Sequence, residues 1–223
     1  MEKESGLFER KNELFRGKHS RSIRFWHWST FVITTGSLFT VLLAKTLLNT
    51  RKNIPVVQEN LRASNIAITV GQAKSLAHEF NDMAWNFHTN LGYILAGLFG
   101  FRILIEFFQP KEQKVIPILK NTLKSLRQPG TDLKDLKYYL FVRCAYLFFY
   151  LVLAVQVCTG LFMVYSDDVE DLKKLRHSVS DIHSVGMWVL LTYIALHIIG
   201  VVYSEHSKKN SGIVSDMING GQN

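Results

Sequence analysis

Eight histidines occur in the 223-residue chain, and four of them, His27, His88, His183 and His197, stand in stretches free of Asp, Glu, Lys and Arg. An ionisable ring in apolar surroundings is costly to keep and usually marks a function. His27 is the third residue of its stretch, His88 the sixth and His183 the second, while His197 lies seven residues before its stretch ends. If successive stretches run in alternating directions, His88 and His183 fall at one level and His27 and His197 at the other. His183 and His197 are 14 residues apart. On one α-helix that spacing leaves them about 40° apart around the axis and about 21 Å apart along it. Both rings therefore face the same side at two heights. Each height offers two imidazoles from different helices, which would fill both axial positions of a haem iron. Such a site has no open position for oxygen or substrate, so its chemistry is electron transfer. Zinc is the chemical rival, but it takes three or four protein ligands, and no carboxylate or thiolate is grouped with these pairs.

The elements that must position these rings are the stretches themselves, residues 25–44, 83–101, 144–166 and 182–204. They hold 85 residues, and all 44 charges fall in the other 138. A transmembrane helix needs roughly 20 mostly apolar residues, so each stretch is one span long. The mean hydropathy of +0.08 conceals this segregation. The expected fold is all-α, a bundle of four transmembrane helices. A soluble enzyme with a large core, a disordered chain and a disulfide scaffold are excluded. Barrel strands would be shorter and would alternate. Cys144 and Cys158 share one stretch, 14 residues and about 21 Å apart along a helix, too far for a disulfide. No Cys-x-x-Cys-His occurs, which excludes covalent haem attachment.

Four spans put both termini on one side of the membrane. Segments 1–24, 102–143 and 205–223 hold 18 Lys and Arg, and segments 45–82 and 167–181 hold 8. The positive-inside rule places the termini and the central loop in the cytoplasm. His88 and His183 are then the outer pair and His27 and His197 the inner pair. The layout is a tail (1–24), a membrane domain (25–204) and a second tail (205–223). The first 22 residues are polar and of mixed charge, so the first span is expected to serve as an uncleaved anchor. Outer loop 45–82 has a second half, 60–80, able to form a helix at the interface. The central loop carries the breakers Pro110, Pro117, Pro129 and Gly130, and 167–171 form a short acidic outer loop. Trp26, Trp28 and Trp85 sit near span ends, as interfacial aromatics do. The net charge of +8 is split among separate loops, which suits anionic lipid and gives no reason to expect nucleic acid. His19, His78, His177 and His206 read as solvated loop residues. Of these, His78 is the nearest competitor for the outer ligand.

A porphyrin face needs room beside its helix. Gly92 follows His88 by four residues and Gly186 follows His183 by three, so each shares its histidine's face. Gly97, Gly100, Gly160 and Gly200 offer further gaps or close helix packing. Haem propionates need cations or donors. Arg24, one turn before His27, and Arg102 are the inner candidates, with Arg143 also able to snorkel to headgroups. Asn86, Asn90 and Ser184 are the outer ones.

With these residues in view, the chain resembles the bacterial cytochrome b561 and nickel–iron hydrogenase b-type cytochrome family. Arg24-Phe25-Trp26-His27-Trp28 is similar to that family's Arg-x-Trp-His-Trp at the start of the first span. His88-Thr89-Asn90-Leu91-Gly92 with Arg102 resembles its second span, and Thr159-Gly160 with Tyr165-Ser166 its third. His183-Ser184-Val185-Gly186-Met187-Trp188 with His197 resembles its fourth, and residues 215–220 resemble the hydrogenase branch. The resemblance covers all four spans and the last tail. It implies a diheme subunit with two non-covalent b-type haems. Such a subunit anchors a peripheral iron–sulfur oxidoreductase at the outer face and passes electrons to quinone, commonly menaquinone, near the cytoplasmic face. Hydrogen oxidised outside and quinone protonated from inside would build a proton gradient without pumping.

The expectation is therefore an electron-transfer subunit with no bond-making site of its own, serving a nickel–iron hydrogenase. The same cytochrome could instead serve a formate dehydrogenase, a thiosulfate reductase or a soluble cytochrome. A metal transporter using membrane histidines would show metal-dependent uptake and no haem spectrum. A purely structural anchor would tolerate loss of all four histidines.

Overall fold

The computed structural model describes residues 20–108, 133–166, 169–206 and 212–220, with isolated positions at 114, 117, 120 and 123. Six helices are described: α1 (Arg21–Lys45), α2 (Thr50–Ala63), α3 (Val70–Phe108), α4 (Leu133–Tyr165), α5 (Glu170–His206) and α6 (Ile213–Asn219). No strand occurs among the described residues. Four helices, α1, α3, α4 and α5, are long and apolar enough to cross a membrane. Phe31, Val32, Phe107, Val185, Trp188 and Tyr203 are among their exposed side chains, as expected of helices solvated by lipid rather than water. The chain is thus an all-α, multi-pass membrane protein.

The four helices extend past the charge-free stretches. Lys, Arg and Glu are good helix formers, so a charged residue ends an apolar window without ending the helix. At residues 45–82 the structure differs from the expectation of a helix over 60–80. The separate helix is α2, over the first half, and residues from 70 onward belong to the second span. Local capping explains both boundaries. Asn49 accepts from Lys52 N–H (3.3 Å) at the start of α2. Asn65, at φ 62°, ends that helix in the left-handed conformation, which asparagine tolerates, and Ile66 N–H returns to the Leu61 carbonyl (2.9 Å). Thr69 and Gln72 then form a reciprocal capping box, with Gln72 N–H donating to Thr69 Oγ1 (3.2 Å) and Thr69 N–H to Gln72 Oε1 (2.9 Å). This fixes the start of α3 at Val70. Asn81 Nδ2 donates to the Ala44 and Leu48 carbonyls (2.8 Å each) and ties the end of α1 to α3.

Among the expected loop breakers, Pro110, Pro129 and Gly130 lie outside the described residues, as do Asp167 and Asp168 of the acidic loop. Glu170 and Asp171 are instead the first turn of α5, where negative charge suits the helix dipole.

The chain divides into two compact units, one comprising Ser29–Leu190 and the other the described parts of Met1–Trp28 and Leu191–Asn223. In the first, α2 packs on α3 and α3 on α4. Its buried residues include Ala44, Ala73, Ala77, Ala84, Val152 and Leu153. Small side chains let helix backbones approach closely, which is how helices associate where lipid is as apolar as leucine. In the second unit Trp26 and Ser204 are buried. Trp26 is thus a packed residue, whereas Trp28 and Trp85 are exposed as interfacial aromatics are.

Candidate functional site

Each unit brings one histidine pair together. In Ser29–Leu190, the His88 ring on α3 faces the His183 ring on α5, with centroids 6.3 Å apart and planes at 88°. In the other unit, His27 on α1 faces His197 on α5, also at 6.3 Å, with planes at 58°. The pairing is the one expected from depth. Two imidazoles on opposite sides of one metal, with bonds of about 2.0–2.1 Å and about 1.1 Å from nitrogen to ring centre, have centres about 6.3 Å apart. Among the described residues no group of three or more His, Cys, Asp or Glu gathers. Each pair thus brings two imidazoles together, the number of protein ligands a bis-histidine haem would take.

A hydrogen bond assigns the tautomer of one ring of the first pair. His88 Nδ1 lies 3.2 Å from the Ser37 carbonyl oxygen. A carbonyl only accepts, so Nδ1 carries the proton. The Ser37 and Thr40 hydroxyls lie at 3.1 and 3.3 Å from the same nitrogen. On the other side, the Thr159 hydroxyl donates to the Val155 carbonyl (2.6 Å) and lies 2.8 Å from His183 Nδ1. In His88 Nε2 is left as the electron-pair donor, and in both rings the partner at Nδ1 fixes the ring's orientation, as is usual for metal-binding imidazoles. Gln156 is buried beside His183. With its amide turned to satisfy both ends, its nitrogen donates to the His183 carbonyl (3.1 Å) and lies 3.2 Å from His183 Nδ1, and its oxygen accepts from Met187 N–H (2.9 Å).

Ser37, Thr40 and Gln156 were not legible as site residues, and Thr159 stood out only in the family resemblance. Gln156 carried a signal, being the one side-chain amide in the stretch 144–166. The hydroxyl residues carried none, because serine and threonine are common in membrane helices. Thr159→Val keeps the shape of the side chain and removes the hydroxyl. The expected result is an affinity for the group held by His183 about 10-fold lower or worse, measured by titrating that group back into the stripped protein.

The glycines divide by surroundings. Around Gly92 nothing comes within 4 Å of where a Cβ would stand, so the face it shares with His88 is open. Beside Gly186 the space is taken by Gln156, with Cδ 3.1 Å and a terminal amide atom 2.8 Å from a Cβ there. A Cβ on Gly160 would lie 3.4 Å from His183 Cε1, so this glycine admits the ring itself. Gly97, Gly100 and Gly200 have open surroundings.

Arg24 sits in the unit of His27 and His197. Its Nη1 donates to the Ile218 carbonyl (3.4 Å). Its Nε is buried with no hydrogen-bond partner among the described residues. Arg102 is buried in the other unit, donating from Nε to the Tyr150 hydroxyl (2.9 Å) and from Nη2 to Glu106 (3.0 Å). Protein groups thus already engage this cation. Arg143 lies over the Tyr146 ring at 5.9 Å. Asn86 and Asn90 line a shallow groove on α3 with Glu79 and Asp82. They are two residues either side of His88, which places them on another face of the helix, and Ser184 is half-buried. His78 is exposed and paired with Asp82 (3.0 Å), not with His183. His177 faces Asp181 at 3.9 Å, and His206 Nδ1 lies 2.8 Å from the Val202 carbonyl. His19 lies outside the described residues.

Four apolar membrane helices that present facing imidazoles from separate helices define a class, the polytopic membrane proteins built around histidine pairs. The chain belongs to the prokaryotic cytochrome b561 family, whose model matches residues 18–220. It is accordingly a membrane-embedded b-type cytochrome with an electron-transfer role. No curated protein sequence and no solved structure matches the chain.

Proposed function

We propose that this chain is the diheme b-type cytochrome subunit of a respiratory oxidoreductase, a nickel–iron hydrogenase. In this reading it anchors peripheral iron–sulfur subunits at the outer face of the bacterial inner membrane, with both its own termini cytoplasmic, and carries electrons between those subunits and the quinone pool. The observation that carries the reading is the equal 6.3 Å spacing of both imidazole pairs, His88 with His183 and His27 with His197. That spacing suits an iron gripped from two sides. The open face at Gly92 and the unsatisfied buried Nε of Arg24 suit a porphyrin edge and a propionate. The resemblance of residues 215–220 favours the hydrogenase branch, and no quinone-binding residue is assigned.

When bound, the two haems supply a one-electron carrier at each level. The chain's own residues do the holding. The Ser37 carbonyl keeps His88 protonated at Nδ1, and the Thr159 hydroxyl orients the His183 ring. Gln156, admitted by Gly186, braces the α5 backbone on which His183 stands. Arg24 supplies positive charge one turn from His27, and Arg102, held by Tyr150 and Glu106, supplies it in the second span. Held by His88 with His183 and by His27 with His197, the haems would serve electron transfer rather than bond-making.

The test is a reduced-minus-oxidised absorbance spectrum with a haem-to-protein ratio. The expected result is a b-type spectrum and two haems per chain. A folded, colourless protein from haem-replete cells would refute the reading, and metal-dependent uptake by that protein would identify a transporter. Co-purification with iron–sulfur hydrogenase subunits is expected. Capture of a formate dehydrogenase or thiosulfate reductase instead would overturn the choice of partner alone.

A further inference from the structure

The C-terminal helix α6 is pinned at both ends. At its start, the Glu205 carboxylate accepts from Gly212 N–H (3.0 Å) and Val214 N–H (3.2 Å). At its end, two carbonyls reach the first span: Met217 accepts from Trp28 Nε1 (2.9 Å) and Ile218 from Arg24 Nη1 (3.4 Å). These two donors flank His27, one turn before it and one residue after it. The Trp28 ring also meets the His27 ring edge to face at 5.3 Å. The last carbonyls of a helix lack partners within it, so α6 uses its free end to hold the side chains on either side of a histidine.

Gly220 makes this grip possible. It ends α6 at φ +81°, where its N–H returns to the Asp216 carbonyl (3.0 Å). A Cβ at Gly220 would stand 2.9 Å from Arg24 Nη1 and 3.2 Å from Cζ. The guanidinium therefore lies in the space that any other residue would fill. With Nη1 turned to the Ile218 carbonyl, Nε is left buried and without a partner among the described residues. A buried donor of that kind costs free energy unless something accepts from it.

We propose that α6 and Gly220 are a positioning element for the inner haem: they set the Arg24 guanidinium so that its Nε receives a haem propionate beside the His27–His197 pair. The proposal rests on the diheme reading above and adds to it a role for the C-terminal tail, which contributes no iron ligand. A tail that holds Arg24 from behind fixes the charge beside one haem only. It thereby shapes the affinity and potential of that haem and leaves the other alone.

The experiment compares Gly220→Ala with Gly212→Ala in the full-length protein. Both glycines have positive φ, but nothing lies within 4 Å of a Cβ on Gly212, whereas Arg24 does for Gly220. General strain in α6 is thus common to both variants, and displacement of Arg24 belongs to one. Redox titration and haem content are read for each level, with amide hydrogen exchange over residues 21–30 as a readout independent of haem. The expected result for Gly220→Ala is an inner-haem affinity about 10-fold lower, a shifted inner potential and faster exchange over 21–30. The outer haem is expected to be unchanged, and Gly212→Ala to lie near the native protein. Arg24→Gln should reproduce the shift, and adding Gly220→Ala to it should change the inner haem no further. If Gly220→Ala leaves the inner haem unaltered, or alters it no more than Gly212→Ala, the proposal fails with the diheme reading intact. If the native protein holds no haem, it is the diheme reading that fails.

Discussion

If the chain is the proposed diheme subunit, His183→Ala is expected to leave one haem per chain in place of two, and to stop electron transfer from the proposed outer partner to quinone altogether. The side chain is one of two imidazoles in the His88 pair, and alanine offers no electron pair at that distance. The substitution also removes the ring that the Thr159 hydroxyl faces and opens space beside Gly160, which stands against the ring. His27 and His197 belong to the other compact unit, so their haem should persist with its spectrum intact. His197→Ala should give the converse, with the outer haem kept and reducible by the donor and quinone reduction abolished. The haem-to-protein ratio and the potential of the surviving haem decide the matter. Full haem content in both variants would remove the histidine assignment.

Gly186→Leu should be nearly as damaging, although Gly186 touches no ring. A Cβ there would meet Gln156 at 2.8–3.1 Å, and a leucine adds three more carbons behind it. Gln156 is buried and braces the backbone at His183 and Met187, so it cannot swing away without leaving amide groups unsatisfied. Overpacking of this kind typically costs about 1–3 kcal/mol, and a lost buried hydrogen bond adds about 1–3 kcal/mol. The expected result is a lower unfolding temperature in detergent and loss of the outer haem. Gly200→Leu on the same helix is the control. Nothing lies within 4 Å of a Cβ there, and it should behave as the native protein does. Equal stability of the two variants would show that Gln156 does not hold α5 in place.

Much of this molecule is legible in the order of its residues, for reasons that differ from part to part. The four spans are plain because lipid imposes length and excludes charge. The capping box of Thr69 and Gln72 was equally local and would have placed the start of α3. It lies outside the charge-free stretch because Lys74, Glu79 and Asp82 interrupt the apolar run without breaking the helix. Arg102 shows the opposite limit. Its position near a span end marks it as a cation for an anionic ligand, yet whether Tyr150 and Glu106 already claim its donors depends on how α3 and α4 pack.

The sequence by itself determined the membrane class, the four intramembrane histidines and which of them share a depth, because each follows from composition and from alternation along one chain. Only the tertiary structure decided which nitrogen of His88 carries the proton, that Gly186 makes room for Gln156, and that the tail grips Arg24 and Trp28 across 194 and 189 residues. Those outcomes turn on a few tenths of an ångström between groups on different helices. Hydrophobic periodicity sets the face a helix turns inward; it does not set the rotation and height at which two helices meet.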